Sequence, residues 1–349
     1  MQLYGRTWTR REIEAHVGRI EQIGGVRRVR LTEGPEAGVE QVEVRTAAGL
    51  TYRVTPSRGM DIGLATFAGV PLSWQSPNGT PHPAFYDARG AEWLRTAAGG
   101  LLMTCGLRQV GAPSEDAGES LGQHGRAHHL AARHVVAEGR WLGDEYELRV
   151  AGTIEEARIF GEAVRLHREI RGRLGQPWIM ITDRVTNFGF AESPHMLLYH
   201  FNFGFPLLGE QTEVRFPPSR VEPREAETPR EGYERWQPPE PGYVERVYLH
   251  ELTGEDGTRP EWATVDIHNP RFPVPGGEAR PLTLRLTWAT QTLPRFVQWK
   301  MPGAGTHVLG IEPANCWVRG RAAERAAGTL ETLQPGESRV YQLRVEVRD

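Results

Sequence analysis

Two polar side chains lie in apolar stretches of this sequence where each could act as an acid or a base. Glu312 ends the strand-like run of "HVLGIEPANCWVRG", directly before Pro313. His200 lies in "LLYHFNFGFP", where period-two alternation places it on the same face as Asn202. Burying such groups is costly unless they are paired or used. A structural ion pair for Glu312 and a satisfied core position for His200 are the alternatives to chemistry.

A third polar cluster, "GQHGRAHHL", offers either a metal site or a turn that binds a polar ligand. His124 and His128 have the i, i+4 spacing of a helical metal pair. Gly125 directly after His124, and the lack of an H-E-x-x-H pattern, favour a turn that presents His124 and Arg126. The sequence also has no G-x-G-x-x-G and no P-loop motif. It therefore predicts chemistry without a metal or an organic cofactor.

The elements that must position these residues are mostly strands. Alternating stretches with Gly, Pro or Asn turns between them predict strands at 39–46, 50–56, 145–154, 163–172, 178–187, 282–290, 306–313 and 339–347. The first two are expected to form a hairpin. Helical patterns occur only at 10–20 and 91–97. The pattern predicts an all-β fold of antiparallel sheets in a sandwich or barrel, with few short helices.

Residues 205–243 interrupt this pattern, because they are rich in Pro, Glu and Arg and show no sustained periodicity. A loop this long is either a solvated excursion or a functional wall or lid over a site. In the second case Tyr233, Trp236 and Tyr243 would be available for stacking. No linker divides the chain, so we expect a single domain over residues 1–349 with 205–243 as a long loop near the site.

Composition excludes several classes of function. A net charge of −3 and a pI of about 6.5 give no electrostatic footprint for nucleic acid or an anionic membrane. No apolar run is long enough to span a bilayer, and no signal peptide is present, so we expect a cytoplasmic protein. Of the 41 lysine and arginine residues, Lys300 is the only lysine. It survives either by chance or because a forked guanidinium does not fit there.

Several motifs together carry a resemblance to a known family. "RGMDIG", "GGLLMTCGL", "HGR", "MLLYHFNFGFPLL" and "WKMPG…VLGIEPAN…GTLETLQPGES" occur in this order. From about residue 20 to its end the chain resembles the aldose 1-epimerase (galactose mutarotase-like) superfamily, in particular its DUF4432-type branch of unknown function. The resemblance implies a β-supersandwich with a sugar held in a cleft on one sheet face.

The resemblance also implies roles for individual residues. His200 would be the general acid, Glu312 the general base, and His124 a sugar contact. Either Arg58 or Arg108 would be the sugar-contacting arginine. The expected substrate-binding residues are His124, Arg58, Asp61, Arg108, Arg126, Asn202 and Lys300.

Two family features have no secure counterpart in the sequence. Asp61 and Asp266 are both candidates for the substrate-binding aspartate. Relatives that bind phosphosugars carry an arginine directly before a Gly-Gly pair, whereas Arg95 is separated from that pair here by "TAA". Phosphate recognition is therefore not expected from this motif.

The predicted activity is that of an isomerase that interconverts the anomers of a small-molecule sugar by opening and re-closing the ring. Both catalytic groups need pKa values near neutrality for this, which a histidine has and a buried glutamate approaches. The many arginines leave an anionic sugar such as a uronate open. The alternatives are a sugar-binding or sensing protein without turnover, and a metal-dependent, cupin-like isomerase using His124, His128 and glutamates. The oligomeric state is open, with a homodimer among the alternatives.

Overall fold

A computed structural model describes residues 1–254 and 258–348. Two short α-helices lie within these ranges, α1 (Arg10–His16) and α2 (Arg321–Ala326). Helix α1 begins where Thr9 and Glu12 form a capping box, since each side chain accepts a hydrogen bond from the other residue's backbone N–H. None of the helices described is long and apolar enough to cross a membrane.

Strands make up most of the described chain. The first twelve are β1 (Gln2–Leu3), β2 (Arg6–Thr7), β3 (Gly25–Arg30), β4 (Glu40–Arg45), β5 (Leu50–Thr55), β6 (Asp61–Phe67), β7 (Val70–Pro71), β8 (Leu102–Leu107), β9 (Ser114–Asp116), β10 (Glu119–Leu121), β11 (Arg133–Leu142) and β12 (Glu145–Ala157). The remainder are β13 (Ala163–Arg173), β14 (Trp178–Asn187), β15 (Ser193–Gly204), β16 (Glu213–Arg215), β17 (Ser219–Pro223), β18 (Arg246–Leu252), β19 (Trp262–Phe272), β20 (Arg280–Ala289), β21 (Arg295–Gly303), β22 (Thr306–Ala314), β23 (Glu331–Leu333) and β24 (Ser338–Arg348).

Two large antiparallel sheets dominate the part of the chain that the structure describes. The smaller has the order β11-β12-β13-β14-β24-β20-β19-β16. The larger runs β17-β18-β21-β22-β15-β8-β6-β5-β4-β3, with β23 paired to β15 and β7 to β6. Its central strands β8, β15 and β22 are far apart in sequence, so neighbours in this sheet come from distant segments.

The hydrophobic core lies between the two sheets, because one cluster of buried side chains draws on both. It includes Leu166 and Leu343 from the smaller sheet and Leu102, Phe201 and Ile311 from the larger one. A second cluster covers the opposite face of the larger sheet and contains the residues that alternate with these: Met103, Cys105, Leu198, Val297 and Ala314. This opposite face of the larger sheet is called the outer face below.

The all-β architecture predicted from period-two patterning is confirmed, and each predicted strand falls on an observed one. The hairpin predicted at 39–46 and 50–56 is β4 and β5, paired antiparallel. The segment 91–97 differs from the prediction: it forms only a 3-10 turn, Glu92–Arg95, without a side-chain cap. A segment this short gains too few hydrogen bonds to offset the cost of nucleating an α-helix.

Candidate active site

Four neighbouring strands place His200 and Glu312 side by side on the outer face. His200 pairs with Met103 of β8, and Glu312 pairs with Val297 of β21. The register of β15 with β22, fixed by Phe201 opposite Ile311, sets His200 opposite Glu312. Since their neighbours along the strands point into the core, His200 and Glu312 must point the other way.

His200 and Glu312 form a buried pair. Nε2 of His200 lies 3.3 Å from Oε1 of Glu312, and the two residues are 6% and 2% exposed. Burial raises the pKa of Glu312 well above its usual value, helped by the charge of Glu245. Burial lowers the pKa of His200 to about 3, helped by His124. Both shifts favour the state in which one of the two side chains, and not both, carries its titratable proton.

His124 comes to the same place from a tight turn rather than from a helix. Its φ of 55° lies in the left-handed region, and its ring centroid is 6.0 Å from that of His200. The backbone N–H of Gly111 donates to Nδ1 at 3.4 Å, which leaves Nε2 as the ring nitrogen available to a ligand. Burial lowers the pKa of His124 to about 4, so its ring is neutral at pH 7.

These three residues line a half-open cleft of about 740 Å³. That volume lies within the range of small-molecule sites. Trp74, Trp93 and Trp299 also line it, and the Trp299 ring lies 5.6 Å from the His200 ring, edge to face. Flat aromatic faces beside an acid and a base suit a ring-shaped ligand with both apolar and polar edges.

One wall of the cleft was not predicted from individual residues. Arg224 and Glu225 of the segment 205–243 line the cleft, and so does Glu245 just after it. The three aromatic residues expected to stack on a ligand do not line it. Tyr233 packs against Phe216, Tyr248 and His250, Trp236 donates to His307, and Tyr243 lies beneath Arg246.

Asp61 and Arg58 lie outside this cleft, in a buried polar network. Asp61 accepts from Nδ1 of His128 at 2.6 Å and from Nη1 of Arg168 at 3.1 Å. Burial alone would raise the pKa of Asp61, but the bond from His128 and the charge of Arg168 hold it below its usual value. Arg58 donates to the carbonyl oxygens of Pro81 and Thr96. Both residues join elements together rather than facing the cleft.

The remaining expected substrate-binding residues are also occupied elsewhere. Arg108 makes a two-pronged bond to Glu119 at 2.9 and 3.0 Å, and Arg126 is exposed outside the cleft lining. Asn202 has the same strand parity as His200, but its amide donates to the carbonyl oxygens of His200 and Gly100 beneath the cleft. It stabilises the strand that carries His200.

Lys300 points to the opposite face of the sheet from Glu312. Alternation along β21 directs Val297 and Trp299 to the cleft and Lys300 away from it. Its Nζ donates to the carbonyl oxygens of Gly232 and Arg235, both at 2.6 Å. Burial lowers its pKa to about 8. A compact ammonium group fits between these two carbonyl oxygens, where the planar guanidinium of an arginine would not. Lys300 therefore anchors the segment that contains Gly232 and Arg235 to β21.

The sites considered for metal and phosphate are not assembled. His128 bonds to Asp61 instead of joining His124, and the described residues contain no group of three His, Cys, Asp or Glu placed to hold a metal ion. Asp266 is paired with Arg285 through both carboxylate oxygens. Arg95 is exposed and bonded to Glu92.

Comparison with known proteins identifies the fold. A family model described as a domain of unknown function (DUF4432) matches residues 36–347. A candidate aldose 1-epimerase from Klebsiella pneumoniae has a TM-score of 0.80 and 24% identity, over 92% of this chain and 83% of that chain. The galactose 1-epimerase from Lactobacillus acidophilus has a TM-score of 0.57 and 11% identity, over 93% and 98%.

A galactose mutarotase-like protein from Clostridium acetobutylicum is similar over 94% of this chain and 99% of that chain, with a TM-score of 0.56 and 12% identity. No curated protein matches the sequence at a significant level. Likeness at such identities establishes the fold, which is the all-β sandwich of galactose mutarotase-like proteins.

Proposed function

The chain belongs to the DUF4432 family, and from its likeness in fold to aldose 1-epimerases and the geometry of its cleft we propose that it is a sugar mutarotase or related epimerase. It would interconvert the anomers of a monosaccharide or sugar derivative by acid–base ring opening. His200 and Glu312 would be its catalytic residues, and His124 would bind the substrate.

The observation that carries this proposal is the 3.3 Å separation of His200 Nε2 and Glu312 Oε1 in the cleft. Anomer exchange transfers protons at two oxygens, the anomeric hydroxyl and the ring oxygen, and both are bonded to the same carbon. The acid and the base that serve them must therefore be neighbours. A pair confined to the core would not line an aromatic cleft, whereas both of these side chains do.

The two pKa shifts place the proton that the pair shares on Glu312, so the proposed reaction begins with its transfer across the 3.3 Å gap to His200, which leaves Glu312 as base and His200 as acid. Glu312 takes the proton of the anomeric hydroxyl, the bond between the anomeric carbon and the ring oxygen breaks, and His200 protonates the departing ring oxygen. The open-chain carbonyl then rotates about its bond to the next carbon. The reverse transfers close the ring on the other face of the carbonyl, so protons and electrons balance and the protein is unchanged.

The buried environment suits this cycle because the pair must hold one proton throughout. Burial raises the pKa of Glu312 and lowers that of His200, so the singly protonated pair persists over a wide pH range. The two positions of that proton differ only by transfer across the gap between the side chains. A neutral His124 adds a donor that can orient a hydroxyl group without adding charge.

Magnetisation-exchange NMR across aldoses, ketoses and uronates tests the proposal, because it detects anomer exchange directly for whichever sugar is the substrate. We expect one or more sugars to exchange faster with the protein present. Glu312→Gln and His200→Ala should each slow that exchange by roughly 10²–10⁴-fold, the usual contribution of one acid–base group.

Glu156→Gln is a matched control, because Glu156 is also a buried carboxylate with a pKa raised by burial, yet it does not line the cleft. It should exchange like the wild type. Wild-type rates in both site variants would overturn the catalytic assignment. Sugar binding without any acceleration of exchange would instead favour the alternative of a non-catalytic sugar-binding protein.

A further inference from the structure

The cleft contains an arginine whose charge is more than balanced by its own neighbours. Arg224 donates from Nε to Glu225 at 2.6 and 2.7 Å and from Nη2 to Oε1 of Glu245 at 3.0 Å. All three residues line the cleft. One guanidinium held by two carboxylates gives this wall a net negative charge.

This wall is continuous with the catalytic pair. Oε2 of Glu245 accepts a hydrogen bond from Nε1 of Trp299 at 2.8 Å, and Trp299 lies against His200. Arg224 lines the same cleft as Glu312 and His124. A sugar lying on Trp299 with its anomeric carbon at His200 would therefore extend toward Arg224.

The guanidinium keeps one amino group for a ligand. Within residues 1–254 and 258–348, Nη1 of Arg224 makes no hydrogen bond, while the other edge of the fork is occupied. Fixing the fork through Glu225 and Glu245 orients this group in advance, which lowers the entropy lost on binding. Arg319 also lines the cleft and is exposed, as Glu225 and Glu245 are, so water screens these three charges alike, whereas the guanidinium of Arg224 is fixed by two carboxylates.

We propose that Arg224 is a specificity-determining residue that donates from Nη1 to a hydroxyl of a neutral sugar, and that Glu225 and Glu245 exclude sugars carrying a carboxylate or phosphate at that position. This inference rests on the proposed function only in taking the ligand to be a sugar. The many arginines of the sequence left an anionic sugar such as a uronate open, and this proposal favours neutral sugars instead.

The test compares binding and anomer exchange for galactose with galacturonate, and for glucose with glucuronate and glucose 6-phosphate. Saturation-transfer NMR titrations measure binding, and magnetisation exchange measures turnover. At least one neutral sugar should bind the wild type at least roughly tenfold more tightly than its anionic counterparts, because like charges oppose each other in the cleft.

Arg224→Gln should weaken binding of that neutral sugar by roughly 10- to 100-fold, as expected for a lost hydrogen bond from a charged donor. Glu245→Gln should reduce the preference for the neutral sugar over the anionic one by about tenfold or more. The pair Arg220 and Glu251 gives matched controls, since it joins β17 to β18, the strands that Arg224 follows and Glu245 precedes, through exposed side chains at 3.6 Å. Arg220→Gln and Glu251→Gln should change neither the affinity for the neutral sugar nor the preference for it over the anionic one.

Each outcome decides one of the two proposals. Equal or tighter binding of the anionic sugars, no binding of any sugar, or an unchanged preference in Glu245→Gln would overturn the role of Arg224 and its carboxylates. Selective binding of neutral sugars without anomer exchange would support that role and overturn the proposed catalysis. Equal anomer exchange of neutral and anionic sugars would support the proposed catalysis and overturn the role of Arg224 and its carboxylates.

Discussion

Gly310 offers a way to disturb the proposed catalytic pair with a single carbon atom. It lies two residues before Glu312 on the same face of β22, opposite Asn202 and Trp299. A Cβ added there would lie 2.8 Å from Oε1 of Glu312, 2.9 Å from Cβ of Trp299 and 3.4 Å from Cε1 of His200. Gly310 has no positive φ, so alanine suits the backbone and the change tests space alone.

The size of the effect follows from these distances. To reach an ordinary contact of ~3.5 Å, the Glu312 oxygen must retreat by roughly 0.7 Å, and Trp299 can yield only by moving its strand. A displacement of about 1 Å in a reacting group can cost ~10²-fold in rate. We therefore expect Gly310→Ala to slow anomer exchange by roughly 10- to 100-fold, with an overpacking penalty of about 1–3 kcal/mol in unfolding free energy.

Exchange NMR on a turned-over sugar, together with urea unfolding, separates the two effects. Gly63→Ala is the matched control, because Gly63 lies in β6 of the same sheet and a Cβ there would meet nothing closer than 3.7 Å. It should leave both quantities near wild type. If Gly310→Ala exchanged sugar as fast as Gly63→Ala, the position of the Glu312 carboxylate would not control the reaction and the reasoning would be refuted.

Two further predictions concern pH and the polar network. The rate of anomer exchange should follow a bell-shaped pH profile, since the pair must hold one titratable proton. The acid limb of that profile should lie well below pH 6.5, because burial lowers the pKa of His200 to about 3. An acid limb near pH 6.5 would contradict the burial of the pair. Asp61→Asn should destabilise the fold at pH 7 by about 1–3 kcal/mol, because it removes one of the two carboxylates bonded to the fully buried Arg168, which keeps its pair with Asp183. The pKa of Asp61 is lowered in the fold, so its stabilisation is present above the unfolded value of ~3.9 and is lost as pH falls below it. Chemical denaturation of both proteins from pH 7 to pH 3 should show the difference shrinking.

The strands could be predicted from the sequence because their signal is local. Alternation within β12, β13 and β14 reports burial on one face, and nothing distant is needed to detect it. Helix α2 was not predicted, since its six residues, "RAAERA", carry no apolar periodicity and its N-cap is Gly320, without a side-chain bond. Its position depends on ion pairs that Arg321 and Arg325 make with Asp116, over two hundred residues away in sequence.

The positions of candidate site residues were predictable to the extent that they depend on a single strand. The sequence singled out His200 and Glu312 because each is a polar group in an apolar strand, a conflict that burial and pairing explain. Arg224 and Glu245 produce no such conflict, because Arg224 lies within the arginine- and glutamate-rich segment 205–243 and Glu245 lies just after it. The pairing of β17 with β18 brings Arg224, just after β17, and Glu245, just before β18, together at the cleft.

Lys300 shows which sequence signal was available and which was not. Parity along "VQWK" separates Lys300 from Val297 and Trp299, so the sequence does say that Lys300 and Trp299 face opposite ways. It does not say which of them faces Glu312, because that depends on the register between β21 and β22. The observed pairing of Val297 with Glu312 decides it, and a shift by one residue would have exchanged Trp299 for Lys300 in the cleft. The aromatic wall beside His200 is thus a consequence of strand register. That register is fixed because the apolar residues on the other face of these strands must be buried in the core.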